Sequence, residues 1–164
     1  MALYAALGVI LLIVLGIWLF WRPIMNLWQD VQIEKAKELF SLERERLEAR
    51  FFDQAAQSGK PRGLRWKSIE WNDDVVFVRD RETGDLLALV GVTVYFEPIE
   101  GEALEDNPNA TTPRDATAVF QFTRRNWAST GRVLFNMDPQ LMIHRYRDRF
   151  EVLAAHQRNH ESLA

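Results

Sequence analysis

The chain contains no cysteine, so disulfide frameworks, thiolate nucleophiles, iron–sulfur clusters and cysteine-rich zinc sites are excluded. Glycine is sparse, at 8 of 164 residues, and neither GxGxxG nor GxxxxGK[ST] occurs, which removes the common glycine-rich nucleotide cradles. No strong field of one sign is present: 20 Lys and Arg face 23 Asp and Glu, for a formal net charge of -3. Nucleic acid is therefore not an expected partner. A second long apolar run is also missing, so a polytopic transporter or channel is excluded.

One such run is present. From Ala2 to Trp21 the sequence reads ALYAALGVILLIVLGIWLFW, without a charged residue or proline. As a helix rising about 1.5 Å per residue it would extend about 30 Å, the thickness of the hydrocarbon core. Tyr4 near one end, and Trp18 and Trp21 near the other, are expected as membrane-interface aromatics. A basic region before the run and a small-residue cleavage site after it are both lacking, so the segment reads as an uncleaved signal anchor. Arg22, Lys35 and Lys37 follow the span and no Lys or Arg precedes it, which points the C-terminal domain to the cytoplasmic side.

The polar remainder is long enough for one real core. Pro23 opens a stretch, Ile24 to Gln57, free of further Pro and Gly and rich in helix formers. Two apolar lines run along it: Leu27, Val31, Leu39, Leu42, Ala49, Phe52 and Ala56, and Trp28, Ala36, Phe40, Leu47, Phe51 and Ala55. Together they predict one broad buried stripe on a long juxtamembrane helix. Ile24, Met25, Leu27 and Trp28 cluster beside the bilayer and form a candidate interface with another membrane protein, a second copy, or lipid.

After the break SGKPRG at 58–63 the period changes. Leu64–Trp71, Val75–Asp80, Leu86–Phe96, Ala116–Asn126 and Arg132–Met137 read as five strands, with hairpin turns at Arg81–Asp85 and Trp127–Gly131. On the third of these, Leu86, Ala88, Val90, Val92, Val94 and Phe96 alternate with Leu87, Leu89, Gly91, Thr93 and Tyr95. Both faces are apolar, as in a central strand covered on both sides. Asp138-Pro139 is an N-cap followed by proline at the first helical position. It predicts a final helix to about Ala155, with Met142, Tyr146, Phe150 and Leu153 inward.

The expected fold is α+β: a single N-terminal transmembrane helix (1–22), a long juxtamembrane helix (23–57), a domain with an antiparallel sheet of about five strands and a C-terminal helix (58–157), and a tail (158–164). This element order resembles that of cystatin-like and nuclear-transport-factor-like rolls, which lay a helix against a curved sheet. The resemblance implies a possible ligand-binding or enzymatic pocket, lined here by Trp66, Trp71, Phe120 and Phe122.

Candidate chemistry is thin. Lys60, Arg62, Arg65 and Lys67 flank Gly63 and Trp66 and form a candidate anion or lipid-headgroup contact, which with Trp28 would suit a lipid-surface sensor. His156 and His160 are one helical turn apart but lack the HExxH pattern, and no metal or cofactor is expected. Asp73 and Asp74 are adjacent, so in extended chain they point apart and form no acid/base pair. The acidic stretch from Glu97 to Asp106 lacks the order of a calcium loop. Arg124, Arg125, Asn126 and Trp127 gather at a turn without forming a catalytic constellation. The sequence therefore points to a noncatalytic, membrane-anchored interaction or assembly module, such as an accessory subunit of a membrane complex.

Overall fold

A computed structural model describes residues 31–57, 63–102, 104 and 107–156. The chain divides into two compact units, 1–38 and 39–164. The segment 2–21 with Tyr4, Trp18 and Trp21, the cluster Ile24, Met25, Leu27 and Trp28, and Lys60, Arg62 and His160 lie outside the described residues. Among the described residues no helix is long and apolar enough to cross a membrane.

Helix α1 covers 31–57. In the first unit its described part carries an ion pair between Lys37 Nζ and Glu34 Oε1, at 2.6 Å. In the second unit follow β1 (Leu64–Asp80), β2 (Leu86–Pro98), a 3-10 turn (Pro108–Thr111), β3 (Arg114–Thr123), β4 (Asn126–Phe135), α2 (Pro139–Arg145) and β5 (Phe150–His156). The strands form one antiparallel sheet in the order β4-β3-β2-β1-β5. The fold class is α+β, and β2 is the central strand, with both faces buried from Leu87 to Val92.

The count of five strands is met by a different set from the expected one. Leu64–Trp71 and Val75–Asp80 are a single strand, because Asn72-Asp73-Asp74 is accommodated as an irregularity in register between Trp71 and Val75 instead of ending the strand. Extra residues in one strand are absorbed in this way when their freed backbone groups find partners. Here Arg44 of α1 supplies them, donating from Nη1 to the Asp73 carbonyl at 3.0 Å and from Nη2 to the Asn72 carbonyl.

The second hairpin turn is also displaced. Thr123 pairs with Asn126, so the β3–β4 loop is Arg124-Arg125, and Trp127 to Gly131 lie within β4. Gly131 has a positive φ of 66°, but a β-carbon there would also stand 2.7 Å from the backbone nitrogen of Ala55. The glycine marks the close approach of α1 to β4 as well as a backbone bend.

The expected C-terminal helix is cut short. Asp138 caps α2 as expected, accepting from the Leu141 amide, but the helix ends at Arg145. Phe150–His156 then pairs with Val75–Asp80 as β5. The spacing of Met142, Tyr146 and Phe150 mimics a helical stripe, yet Phe150 is buried from a strand and Tyr146 is exposed. Covering the apolar edge of β1 supplies backbone partners that an extended helix would leave unmade.

Each face of the sheet has its own cover. On one, Phe40, Leu47, Phe51 and Ala55 of α1 are buried. Phe40 meets Phe77, Phe120 and Trp127 with ring centroids 5.6, 5.4 and 5.0 Å away, and Phe51 meets Trp71 and Phe120 at 5.3 and 5.4 Å. Burying each such ring is worth roughly 1.5–3 kcal/mol. The buried stripe is narrower than expected: Leu42 is 79% exposed, and Val31 is also exposed, because a helix on one sheet face needs only one of the two apolar lines.

On the opposite face Val76, Val78, Leu87, Leu89, Met142 and Phe150 form a core with Val119, Leu134, Met137 and Ile143 packed against it. Gly91 lies close to the start of α2: a β-carbon there would stand 3.5 Å from Pro139 Cδ, in ordinary contact, and would displace the Asn72 amide.

Candidate functional site

Leu64 and Trp66 are buried and alternate along β1 with exposed Arg65 and Lys67. Arg65 sits opposite Glu97 and binds its Oε1 through Nε at 2.7 Å. That arginine is a cross-strand partner of a carboxylate, so within the described part of the basic stretch Lys67 carries the remaining positive charge.

The four aromatics expected to line a pocket are packing residues. Phe120 is fully buried beneath Phe40 and Phe51, and Trp71 lies against Phe51 and Phe120. Trp66 packs on Phe96 and Phe135, and Phe122 on Trp127. Of the four, Phe120 and Trp71 pack against side chains of α1.

His156 lies in β5 rather than on a helix, and its expected partner His160 lies outside the described residues. His144 is exposed on α2, and no metal-binding group of three side chains occurs among the described residues. Where α2 begins, an open depression of about 670 Å³ is lined in part by Asn72, Thr112, Asp115, Asn136 and Asp138. Its polar atoms largely serve the fold. Asp115 Oδ1 accepts from Thr93 Oγ1 at 2.9 Å, Asp138 caps α2, and the nearby Thr117 hydroxyl donates to the Met137 carbonyl at 2.6 Å.

A third arrangement lies at the end of the sheet where the β1–β2 loop, the β3–β4 loop and the α2–β5 connection meet. Asp80, 4% exposed, is its organiser. Its Oδ2 accepts from Nε and Nη2 of Arg149 at 2.9 and 2.7 Å, and its Oδ1 accepts from the Glu82 amide at 2.9 Å. The Asp80 carbonyl accepts from the Gly84 amide at 2.7 Å, while Arg81 N donates to the Arg149 carbonyl at 2.8 Å. One carboxylate thus locks the first hairpin to the start of β5. The hydrogen bonds from Arg149 hold the Asp80 carboxyl below its ordinary pKa, against the opposing effect of burial. The same bonds raise the guanidinium of Arg149.

At this end of the sheet, on the two turns, at the end of α2 and on the α2–β5 connection, lie Arg81, Arg124, Arg125, Arg145 and Arg147, all exposed. Arg149 completes the group but is occupied by Asp80, with Glu82 at 3.4 Å. Beside the clamp a groove of about 330 Å³ has an apolar floor of Leu87, Val119, Leu134 and Met142 and a polar rim that includes Gln121, Arg132 and Arg149. In it Gln121 Nε2 donates to Asp85 Oδ2 at 2.9 Å.

These arginines come from three distant stretches of sequence and form no run. The one local signal is Arg124-Arg125, which the sequence places at a turn but to which it assigns no role. No protein-family model matches the chain, and neither a curated protein nor a solved structure is similar to it.

Proposed function

We propose that the protein is a single-pass, membrane-anchored module whose α+β domain works by binding rather than by catalysis, as an assembly or accessory subunit of a membrane complex. Residues 2–21 form the anchor, and the C-terminal domain lies on the cytoplasmic side, in keeping with Arg22, Lys35 and Lys37 after the apolar run. The cluster Ile24, Met25, Leu27 and Trp28 is the membrane-proximal partner face.

The observation that carries the reading is the use of the sheet's faces. Two of the aromatics that a roll-type enzyme or binding protein would arrange around a ligand, Trp71 and Phe120, are spent on packing α1. The same helix leaves Leu42 79% exposed, beside a polar groove lined by Ser41, Arg44, Glu45, Glu48, Trp71 and Asp73. A single exposed apolar side chain is ordinary on a protein surface, so Leu42 supplies the position at which this reading is tested.

The test is extraction of the full-length chain in mild detergent followed by identification of what co-purifies. A stoichiometric membrane-protein partner or a self-assembled form is the expected result, weakened by Leu42→Glu. Recovery of the monomer alone, unchanged by Leu42→Glu, would contradict the assembly role.

A further inference from the structure

We infer that the open edge of β1 is the docking site of this chain's own C-terminal segment, 157–164, which continues β5 as an extended strap along residues 67–74. The segment lies outside the described residues, and the inference rests on the edge it would cover. It is independent of the anchor at 2–21.

β1 is 17 residues long, but its two neighbours use it unequally. β2 pairs with it from Leu64 to Arg79, whereas β5 pairs only with Val75–Asp80. Among the described residues, the stretch from Leu64 to Asp74 therefore has no strand on its second side. Such an edge presents backbone N–H and C=O groups ready to pair with another extended segment. Burial changes at the same point. Val75, Val76, Phe77, Val78 and Asp80 are buried, while the apolar Ile69 and Trp71 are only half-buried, and Lys67, Ser68, Glu70, Asn72 and Asp74 are exposed.

The direction of the chain selects the occupant. β5 runs antiparallel to β1, from Phe150 opposite Asp80 to His156 opposite Val75. A chain leaving His156 in the same direction meets Asp74 next and then the rest of the open edge. Residues 157–164 span about 26 Å when extended, at roughly 3.3 Å each, which matches 67–74 residue for residue. β5 already holds the start of this segment in place, so docking costs it little loop-closure entropy. A peptide from another molecule would also lose its translational freedom.

Charge follows the same order. Along the edge Asp74 and Asp73 come first and Lys67 later, and along the segment Arg158 comes first and Glu161 later. Continuing the register sets Arg158 opposite Asp73 and beside Asp74, and opposite charges facing each other across strands stabilise their pairing. Glu70, farther along, is drawn toward β2, where it accepts from the Tyr95 hydroxyl at 2.8 Å. A groove of about 430 Å³ borders the edge between Trp71 and Asp73 of β1 and Glu45 and Glu48 of α1. Arg44 within it is committed to Glu48 and to the carbonyls of Asn72 and Asp73. The exposed Glu45 is left to face a cation on the strap. Because Arg44 takes those two carbonyls, regular pairing with the strap resumes at Trp71.

The absence of cysteine permits paired labelling. The full-length chain in detergent micelles, carrying nitroxide labels at Ser68→Cys and Ser162→Cys, is examined by double electron–electron resonance. Neighbouring strands lie about 4.8 Å apart, so with the label arms added the expected distribution is narrow and peaks at about 20 Å or less. Asn159→Pro with His160→Pro tests the pairing itself: successive N–H groups in a strand point to opposite sides, so one of the two prolines removes a donor aimed at β1. The double substitution should lengthen and broaden the distribution and speed amide exchange at 65–71 at least about tenfold. Exchange at Val75–Asp80 should stay as in the parent, which shows that the domain remains folded. A mixture of chains labelled only at Ser68→Cys with chains labelled only at Ser162→Cys should give no short distance. A long, broad distribution in the doubly labelled chain, or exchange at 65–71 that ignores the prolines, overturns the inference. A short distance in the mixed sample assigns the edge to the segment of a second copy, and the assignment to the chain's own segment is then wrong.

Discussion

Arg44 reaches from α1 to the carbonyl of Asp73, donating through Nη1 at 3.0 Å, while its Nε binds Glu48 Oε1 at 2.6 Å. The side chain sits in the buried line of the helix between Phe40 and Leu47. A charged residue thus occupies a core position because the irregularity in β1 turns two carbonyls toward it. Arg44→Met keeps much of the apolar stem but leaves those carbonyls without their donor. It should destabilise the domain by about 1.5–3 kcal/mol, the range for hydrogen bonds to a charged group. The midpoint of urea unfolding of the detergent-solubilised chain checks this, with Arg50→Met, at an exposed position on the same helix, changing little.

Two glycines with similar backbone angles should respond differently to alanine. Gly84 and Gly131 have φ of 76° and 66°. Nothing lies within 4 Å of a β-carbon at Gly84, whereas one at Gly131 would stand 2.7 Å from Ala55 N. Gly84→Ala should cost only the left-handed backbone penalty, about 1–2 kcal/mol. Gly131→Ala adds displacement of the helix end and should cost more. Melting temperatures of the two variants give the order directly.

The Asp80–Arg149 clamp makes stability depend on pH in the acid range. Hydrogen bonds from Arg149 hold Asp80 below its ordinary value of 3.8 in the folded chain. Its contribution is therefore complete above that ordinary value and disappears as pH falls through the lower, folded one. Asp80→Asn should lower the melting temperature at neutral pH and flatten the loss of stability on acidification. A variant whose acid limb matches the parent's would show that other carboxylates govern it.

Arg124→Asn with Arg125→Gly should raise stability by about 1–2 kcal/mol, since both replacements relieve the cost of positive φ at the β3–β4 turn. Thermal melting in detergent, without anionic lipid, reads this effect separately from any membrane contact.

Local signals account for much of the fold. The two-faced apolar pattern of Leu86 to Phe96 identifies the central strand, Gly84 marks the first hairpin, and Asp138-Pro139 marks the start of α2. Misreadings arise where a distant contact decides. Asn72-Asp73-Asp74 looks like a break until Arg44 satisfies its carbonyls. Gly131 looks like a turn glycine, although the approach of Ala55 also demands it. Met142, Tyr146 and Phe150 share a helical period, but the open edge of β1 draws Phe150 into a strand. The Asp80–Arg149 clamp is the least legible feature for the same reason: its two residues lie 69 positions apart and meet only when β5 pairs with β1.

The central claim, a domain held at a bilayer by one apolar segment, is tested most directly by washing membranes that contain the full-length chain with alkaline carbonate and following it by sedimentation. The account predicts that the chain stays with the membrane pellet, and that protease added from the cytoplasmic side removes the domain while leaving the 2–21 segment protected. Release of the intact chain into the supernatant would contradict it.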